Sequence, residues 1–183
     1  MLIILFGITG SGKSYFKDQI AAKLNFKKIA ILTNRLPRTG EISGVDKIFC
    51  SNEELQAKID NDEIAYYFDF MSARYAYLNK DLLTDENSVV EMNHQEIDNL
   101  KAMLPNITTI YLKPNRFEKA VEFLKARKSD PKAEKERLED MQEEYNLSKD
   151  KDFQKKFDYI FSNNYDDEST KRMIELIRNQ VKK

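Results

Sequence analysis

One cysteine, Cys50, stands among 183 residues. That excludes an internal disulfide and any cysteine-rich zinc site, and it points to a reducing compartment. Cys50 itself reads as a small, half-buried side chain. One histidine is present, His94, near the end of an apolar strand; it reads as a cap of the following helix or as an exposed side chain, with contact to a substrate at the strand end as the other reading. Excess charge is missing too, with 30 Lys and Arg against 31 Asp and Glu. Such a balance gives no global pull toward nucleic acid or acidic membranes, so a phosphate site has to be made by local clustering. No apolar run is long enough to span a membrane. The apolar start, Leu2–Phe6, runs straight into a glycine-rich turn and is not read as a cleavable signal peptide. Repeats and low-complexity segments are absent. The expectation is a cytoplasmic protein with neither nucleic acid nor membrane as partner.

Glycine is scarce, yet three of the five glycines fall within GITGSGKS, Gly7 to Ser14. An apolar strand precedes this stretch. Phe16, Ile20 and Leu24 follow it at helical spacing. Gly7, Gly12, Lys13 and Ser14 fit G-x-x-x-x-G-K-[ST] between strand and helix. The chemistry needs these types. Glycines let backbone N–H groups turn inward on an anion. The new helix offers unpaired N–H groups and the positive end of its dipole. Lys13 adds a mobile charge for outer phosphates, and the Ser14 hydroxyl can ligate Mg²⁺.

The rest of the chain alternates strands and helices. Lys27–Thr33 reads as one strand, followed by a long loop over 34–46 rich in Arg, Pro and Gly. Ser51 and Glu54 match a capping box ahead of a helix. Segments 63–70 and 74–78 read as β. Ser88–Met92, Ile107–Leu112 and Asp158–Ser162 read as core strands, with helices over 94–104, 116–127 and 169–181. Segment 134–147 is highly charged with few apolar residues. It reads as a mobile helical flap cut off by Pro131. The class is α/β, a P-loop NTPase-type parallel sheet with helices on both faces, an inserted α/β lobe and a helical lid. Residues 1–33 with 79–114 and 157–183 form the expected core, 34–78 the lobe and 115–156 the lid region.

Beyond the P-loop, Arg35 and Arg38 share one loop, and arginine forks suit phosphate oxygens. Arg127 and Arg137 sit at the two ends of the lid segment, where closure can stabilise a transferring phosphoryl group. Glu91 ends a core strand; it could orient a Mg²⁺-bound water or pair with a loop arginine. Tyr66, Tyr67, Phe68 and Phe70 line a base pocket or fill the lobe's own core.

Three stretches resemble the guanylate kinase family: the P-loop GITGSGKS, the run TNRLPRTGEISGVDKIF over 33–49, and Glu91–Gln95 with the later arginines and Asn163. The resemblance spans nearly the whole chain, and the second stretch is its most specific part. It implies transfer of the ATP γ-phosphoryl to GMP, with Mg²⁺ and domain closure. By resemblance, Gly7, Ile8, Thr9, Gly10, Ser11, Gly12, Lys13 and Ser14 hold ATP, with Ser14 on the metal and Asn163 near the adenine. Arg35, Arg38 and Tyr75 hold the acceptor's phosphate, and Lys13, Arg127 and Arg137 act on the transferring group. Tyr66, Tyr77 and Glu91 fall on the acceptor side.

The chain also departs from the family pattern. Lys47 replaces a tyrosine that touches acceptor phosphate. Tyr66 and Tyr77 stand where a glutamate and a serine read guanine, with Asp69 or Glu63 as possible substitutes. Asn93 replaces an aspartate, and the lid is one residue short between its arginines. A monomer or homodimer is expected. The rival readings are a binding module of the same fold, or a P-loop kinase for another phosphorylated small molecule. Retained Lys13 and Ser14 favour an enzyme.

Overall fold

Strand β1 (Leu2–Phe6) has every residue buried. Only a strand flanked by neighbours and covered on both faces can be this apolar. It runs parallel to β7 (Ser88–Glu91) on one side and β8 (Ile107–Pro114) on the other. Beyond these lie β2 (Lys27–Lys28) and β9 (Tyr159–Asn163), giving the order β2-β7-β1-β8-β9 in a fully parallel sheet. A computed structural model describes residues 1–37, 41–44, 47–104, 106–126 and 130–181.

Alternation along β1 sends Ile3 and Leu5 to one face, Ile4 and Phe6 to the other. The first face is covered by α1 (Lys13–Leu24) and α8 (Asp167–Val181) through Phe16, Ile20, Met173 and Ile177. The second is covered by α4 (Ile97–Met103) and α7 (Lys151–Gln154) through Ile97, Leu100 and Phe153, joined by Phe157 just after α7. Burying each such side chain is worth about 1.5–3 kcal/mol, so these two layers hold the loops at the strand ends in place.

A second sheet, in the order β4-β3-β6-β5, forms the lobe. Its strands are β3 (Ile31–Thr33), β4 (Lys47–Phe49), β5 (Ile64–Phe70) and β6 (Ala73–Leu78). Helix α2 (Asn52–Asp60) packs Leu55 against Leu32, Ala76 and Leu78. The expected capping box is formed, with Ser51 and Glu54 each bonded to the other's backbone N–H. The β5–β6 hairpin turns through Met71 and Ser72, both at positive φ, as a two-residue turn matched to strand twist demands.

Four expectations need correction. The strand expected over 27–33 is two strands in two sheets. Ile29 N–H makes a bond to Val89 of the main sheet, and Ile31 then pairs in the lobe. Helix α6 (Pro131–Leu147) starts earlier than expected, because Asp130 accepts from the N–H groups of Lys132 and Ala133 and Pro131 fits the first turn. Its second half is also anchored. Met141 is fully buried with Ile8, Ala120 and Leu124, the last two on α5 (Phe117–Lys125), so the helix is partly a core element. His94 is neither cap nor exposed: Asn93 caps the turn by accepting from Gln95 N–H, and the His94 ring packs edge-on to Phe153. Among the described residues no helix is long and apolar enough to cross a membrane.

Candidate active site

The turn between β1 and α1 is held from behind. Asn163, buried at the end of β9, donates to the Ser11 carbonyl at 2.9 Å. The Tyr165 hydroxyl donates to the Gly10 carbonyl at 3.0 Å. Gly10 has φ +79°, and a Cβ there would sit 2.4 Å from the Ala120 carbonyl oxygen. Gly12 has φ +98°, and its Cβ would meet the Asn163 amide at 2.8 Å. Both positions therefore require glycine, for conformation and for space. The Lys13 ammonium turns back onto its own loop, donating to the carbonyls of Gly7 and Ile8.

Glu91 closes the next side. Its carboxylate accepts from Ser14 Oγ at 3.2 and 3.3 Å and from Lys17 Nζ at 3.1 Å. Burial alone would raise this carboxyl, but the ammonium groups of Lys17, Lys47 and Lys13 outweigh it and hold the group at about 2. Lys17, on α1, is itself buried. Burial lowers the Lys47 ammonium, helped by Lys17 and Arg35 and opposed by Glu91 and Glu41.

These groups open onto a cavity of about 870 Å³ between core, lobe and α6. On the lobe side, Phe68 and Tyr75 stack at 5.5 Å, and Phe70 continues that wall. Arg35 also lines the cavity; its Nη2 reaches both Glu41 oxygens at 2.9 Å, and its guanidinium lies over Phe49. Arg35 Nε is buried without a hydrogen-bond partner among the described residues. Opposite, α6 presents Arg137, Asp140 and Glu144 along one stripe. Glu144 accepts from the Tyr111 hydroxyl at 2.9 Å and lies 3.3 Å from His94 Nδ1. Burial, with Glu144 nearby, raises the Asp140 carboxyl despite Arg137.

The arrangement is a glycine-rich strand-to-helix turn carrying Lys13 and Ser14 and an arginine-bearing lobe, facing one cavity. A sequence model of the guanylate kinase family matches residues 1–180. The chain belongs to the guanylate kinase family. It is 27% identical to a guanylate kinase of Fusobacterium nucleatum over 99% of this chain and 97% of that protein. It superimposes on a guanylate kinase crystal structure from Anaplasma phagocytophilum with TM-score 0.74 at 20% identity, over 98% of this chain and 85% of that one. A shikimate kinase from Bacteroides thetaiotaomicron shares the fold more loosely, TM-score 0.53 at 16% identity, over 100% and 99% of the chains.

In this guanylate kinase family member, Gly7, Thr9, Gly10, Gly12, Lys13, Ser14 and Asn163 line the cavity together with Arg35, Tyr75, Glu91 and Arg137. Ile8 and Ser11 are buried beneath the turn. Arg38 and Arg127 lie outside the described residues. Tyr66 lies off the cavity lining. Its hydroxyl donates to Glu96, and burial with that bond pushes it up to about 12. Tyr77 is fully buried, and its hydroxyl donates to the Glu91 backbone carbonyl at 2.9 Å. Tyr77 lines the cavity with its donor proton committed to Glu91, so its hydroxyl oxygen is left only as an acceptor, while Tyr66 does not line the cavity. Asp69 pairs with Arg74 on the lobe's outer side and Glu63 pairs with Lys58, so neither substitute carboxylate faces the cavity. Glu91 pairs with a helix lysine rather than with a loop arginine.

Sequence reasoning missed Lys17, Glu41, Asp140, Glu144 and Tyr165. Lys17 carried a signal, since it adjoins the Phe16–Ile20 apolar stripe one turn after Lys13. The others depend on which long-range neighbours the fold supplies.

Proposed function

We propose that the protein transfers the γ-phosphoryl group of ATP to GMP. The observation that carries this reading is one cavity lined by Lys13 and Ser14 of the P-loop and, across it, by Arg35. Two anion sites facing each other suit a donor and an acceptor that each carry phosphate. An acceptor phosphate oxygen attacks the γ-phosphorus, the bond to the β–γ bridging oxygen breaks, and ADP leaves. Lys13 is placed to follow the charge that spreads over the transferring group, and Arg35 to orient the acceptor. Arg137, from α6, adds charge on the lid side. Phe68, Phe70 and Tyr75 offer an aromatic wall for the base.

Mg²⁺ fits the same place. Ser14 Oγ and the Glu91 carboxylate are oxygen donors side by side, and no group of three or more His, Cys, Asp or Glu among the described residues could hold a metal alone. A cation that needs few protein ligands and takes the rest from phosphates and water suits that set. When bound it would neutralise phosphate charge.

The GMP assignment rests on family membership. With Tyr66 off the cavity, Asp69 and Glu63 facing away from it and Glu41 held by Arg35, the lining supports a looser reading of the base, resting mainly on stacking. Turnover in folded Lys13→Ala protein tests the mechanism. Most transfer should be lost, and unchanged turnover would refute the role given to the P-loop. The non-catalytic binding module is disfavoured by intact Lys13 and Ser14. A monomer or homodimer acting in the cytoplasm is the accompanying expectation.

A further inference from the structure

Lys17 is 2% exposed, on the sheet side of α1, between Phe16 and the turn that carries Ile20. Its ammonium meets Glu91 Oε1 at 3.1 Å and has no second hydrogen-bond partner among the described residues. That is an expensive way to fill a helix position. A buried ion pair is often matched or bettered in stability by apolar side chains of similar volume. Here the neighbouring stripe is already apolar.

The pair's location gives it a use. Glu91 faces the cavity, and its two oxygens receive Ser14 Oγ. Lys13 and Lys47 also border Glu91, but both line the cavity, where entering phosphates compete for them. Lys17 does not line it and stays behind the wall. Of the three cations it is the one whose contact with Glu91 a bound nucleotide leaves undisturbed. The Glu91 backbone is fixed separately by Tyr77. Main chain and carboxylate thus have different anchors, and Lys17 is the carboxylate's.

We infer that Lys17 is a positioning residue for phosphoryl transfer: it fixes the Glu91 carboxylate against Ser14, so that the phosphate end of the cavity is set before the nucleotide arrives. This rests on the kinase reading above for its kinetic test but not for its binding test.

The experiment is a double-mutant cycle of Lys17→Met and Glu91→Gln, with Lys17→Arg as the conservative variant. Lys17→Met should lower kcat by about tenfold or more, with the acceptor KM moving less than about threefold. Lys17→Arg should restore most of the loss. The double variant should turn over like Glu91→Gln alone, because Lys17 acts through that carboxylate. Calorimetry supplies a readout apart from turnover: the affinity advantage of Mg·ATP over ATP in chelator should shrink in Lys17→Met. A kcat within about twofold of the parent, or single-variant effects that multiply in the double, would overturn the inference. If Lys17→Met does not fold, the double variant removes both buried charges and carries the same prediction against Glu91→Gln; a further tenfold loss there would overturn it. If the parent protein phosphorylates no nucleoside monophosphate, the kinase reading fails. The calorimetric ratio then still decides the role of Lys17, and an unchanged ratio would refute it.

Discussion

The Tyr77 hydroxyl, on lobe strand β6, donates at 2.9 Å to the backbone carbonyl of Glu91, on core strand β7. The bond ties the lobe side of the cavity to the P-loop side, and it commits the hydroxyl's donor proton to protein. Tyr77→Phe leaves a buried carbonyl unpaired and should cost about 1–3 kcal/mol in denaturant unfolding. It should leave the ratio of kcat/KM for GMP and AMP unchanged. That ratio should itself lie below about a thousandfold, since neither position 66 nor Asp69 or Glu63 brings a carboxylate to guanine's donors, and unmatched donors discriminate weakly. A ratio that collapses in Tyr77→Phe would make Tyr77 a base reader after all.

Arg35 holds Glu41 with one nitrogen bridging both carboxylate oxygens, and its buried Nε has no hydrogen-bond partner among the described residues. On the proposed reading, an acceptor phosphate competes with Glu41 for this guanidinium. Arg35→Ala should raise the acceptor KM by an amount matching about 1.5–3 kcal/mol, with ATP affinity unchanged by calorimetry. Loss of ATP affinity instead would mean that the two anion sites have been assigned the wrong way round.

Helix α6 is exposed or half-buried up to Asp140 and anchored from Met141 onward. Hydrogen exchange with a bisubstrate analogue should add protection over 130–140, while 141–147 is protected with or without it. Equal protection of 130–140 in both states would argue against closure of this segment.

Asp158 accepts from the Thr109 N–H at 2.8 Å and hydroxyl at 2.6 Å, tying the start of β9 to β8. Burial opposes its ionisation, but these bonds and Lys101 outweigh it and lower its carboxyl. A depressed carboxylate contributes stability above its unfolded value, near 3.9, and loses it as pH falls toward the lower folded value. Asp158→Asn should therefore melt with less dependence on pH below about 4 than the parent. An identical acid limb in the two proteins would count against this role.

The centre of the main sheet was legible because β1 is continuously apolar and β7, β8 and β9 carry apolar runs, with apolar stripes on the helices beside them. Ser51 with Glu54 marked α2 for the same local reason. The break at Ile29–Ala30 was not legible, since one apolar run feeds two sheets and no turn residue marks the change. The Met71–Ser72 turn was also silent, because it adopts positive φ without Gly or Asn. In α6, Met141 and Tyr145 were too few to reveal a buried face by count, yet α5 supplies the partners that bury them. At the site, the P-loop and Arg35 were local motifs. The partners of Tyr66, Tyr77 and Lys17 come from residues 14 to 74 positions away.

Simultaneous measurement of ADP and GDP in one reaction of purified protein with Mg·ATP and GMP tests the central claim most directly. The account predicts that the two products appear in equal amounts and that both fall to a small fraction of the parent's in Lys13→Ala. ADP without GDP, or no turnover in protein shown to bind both nucleotides, would contradict it.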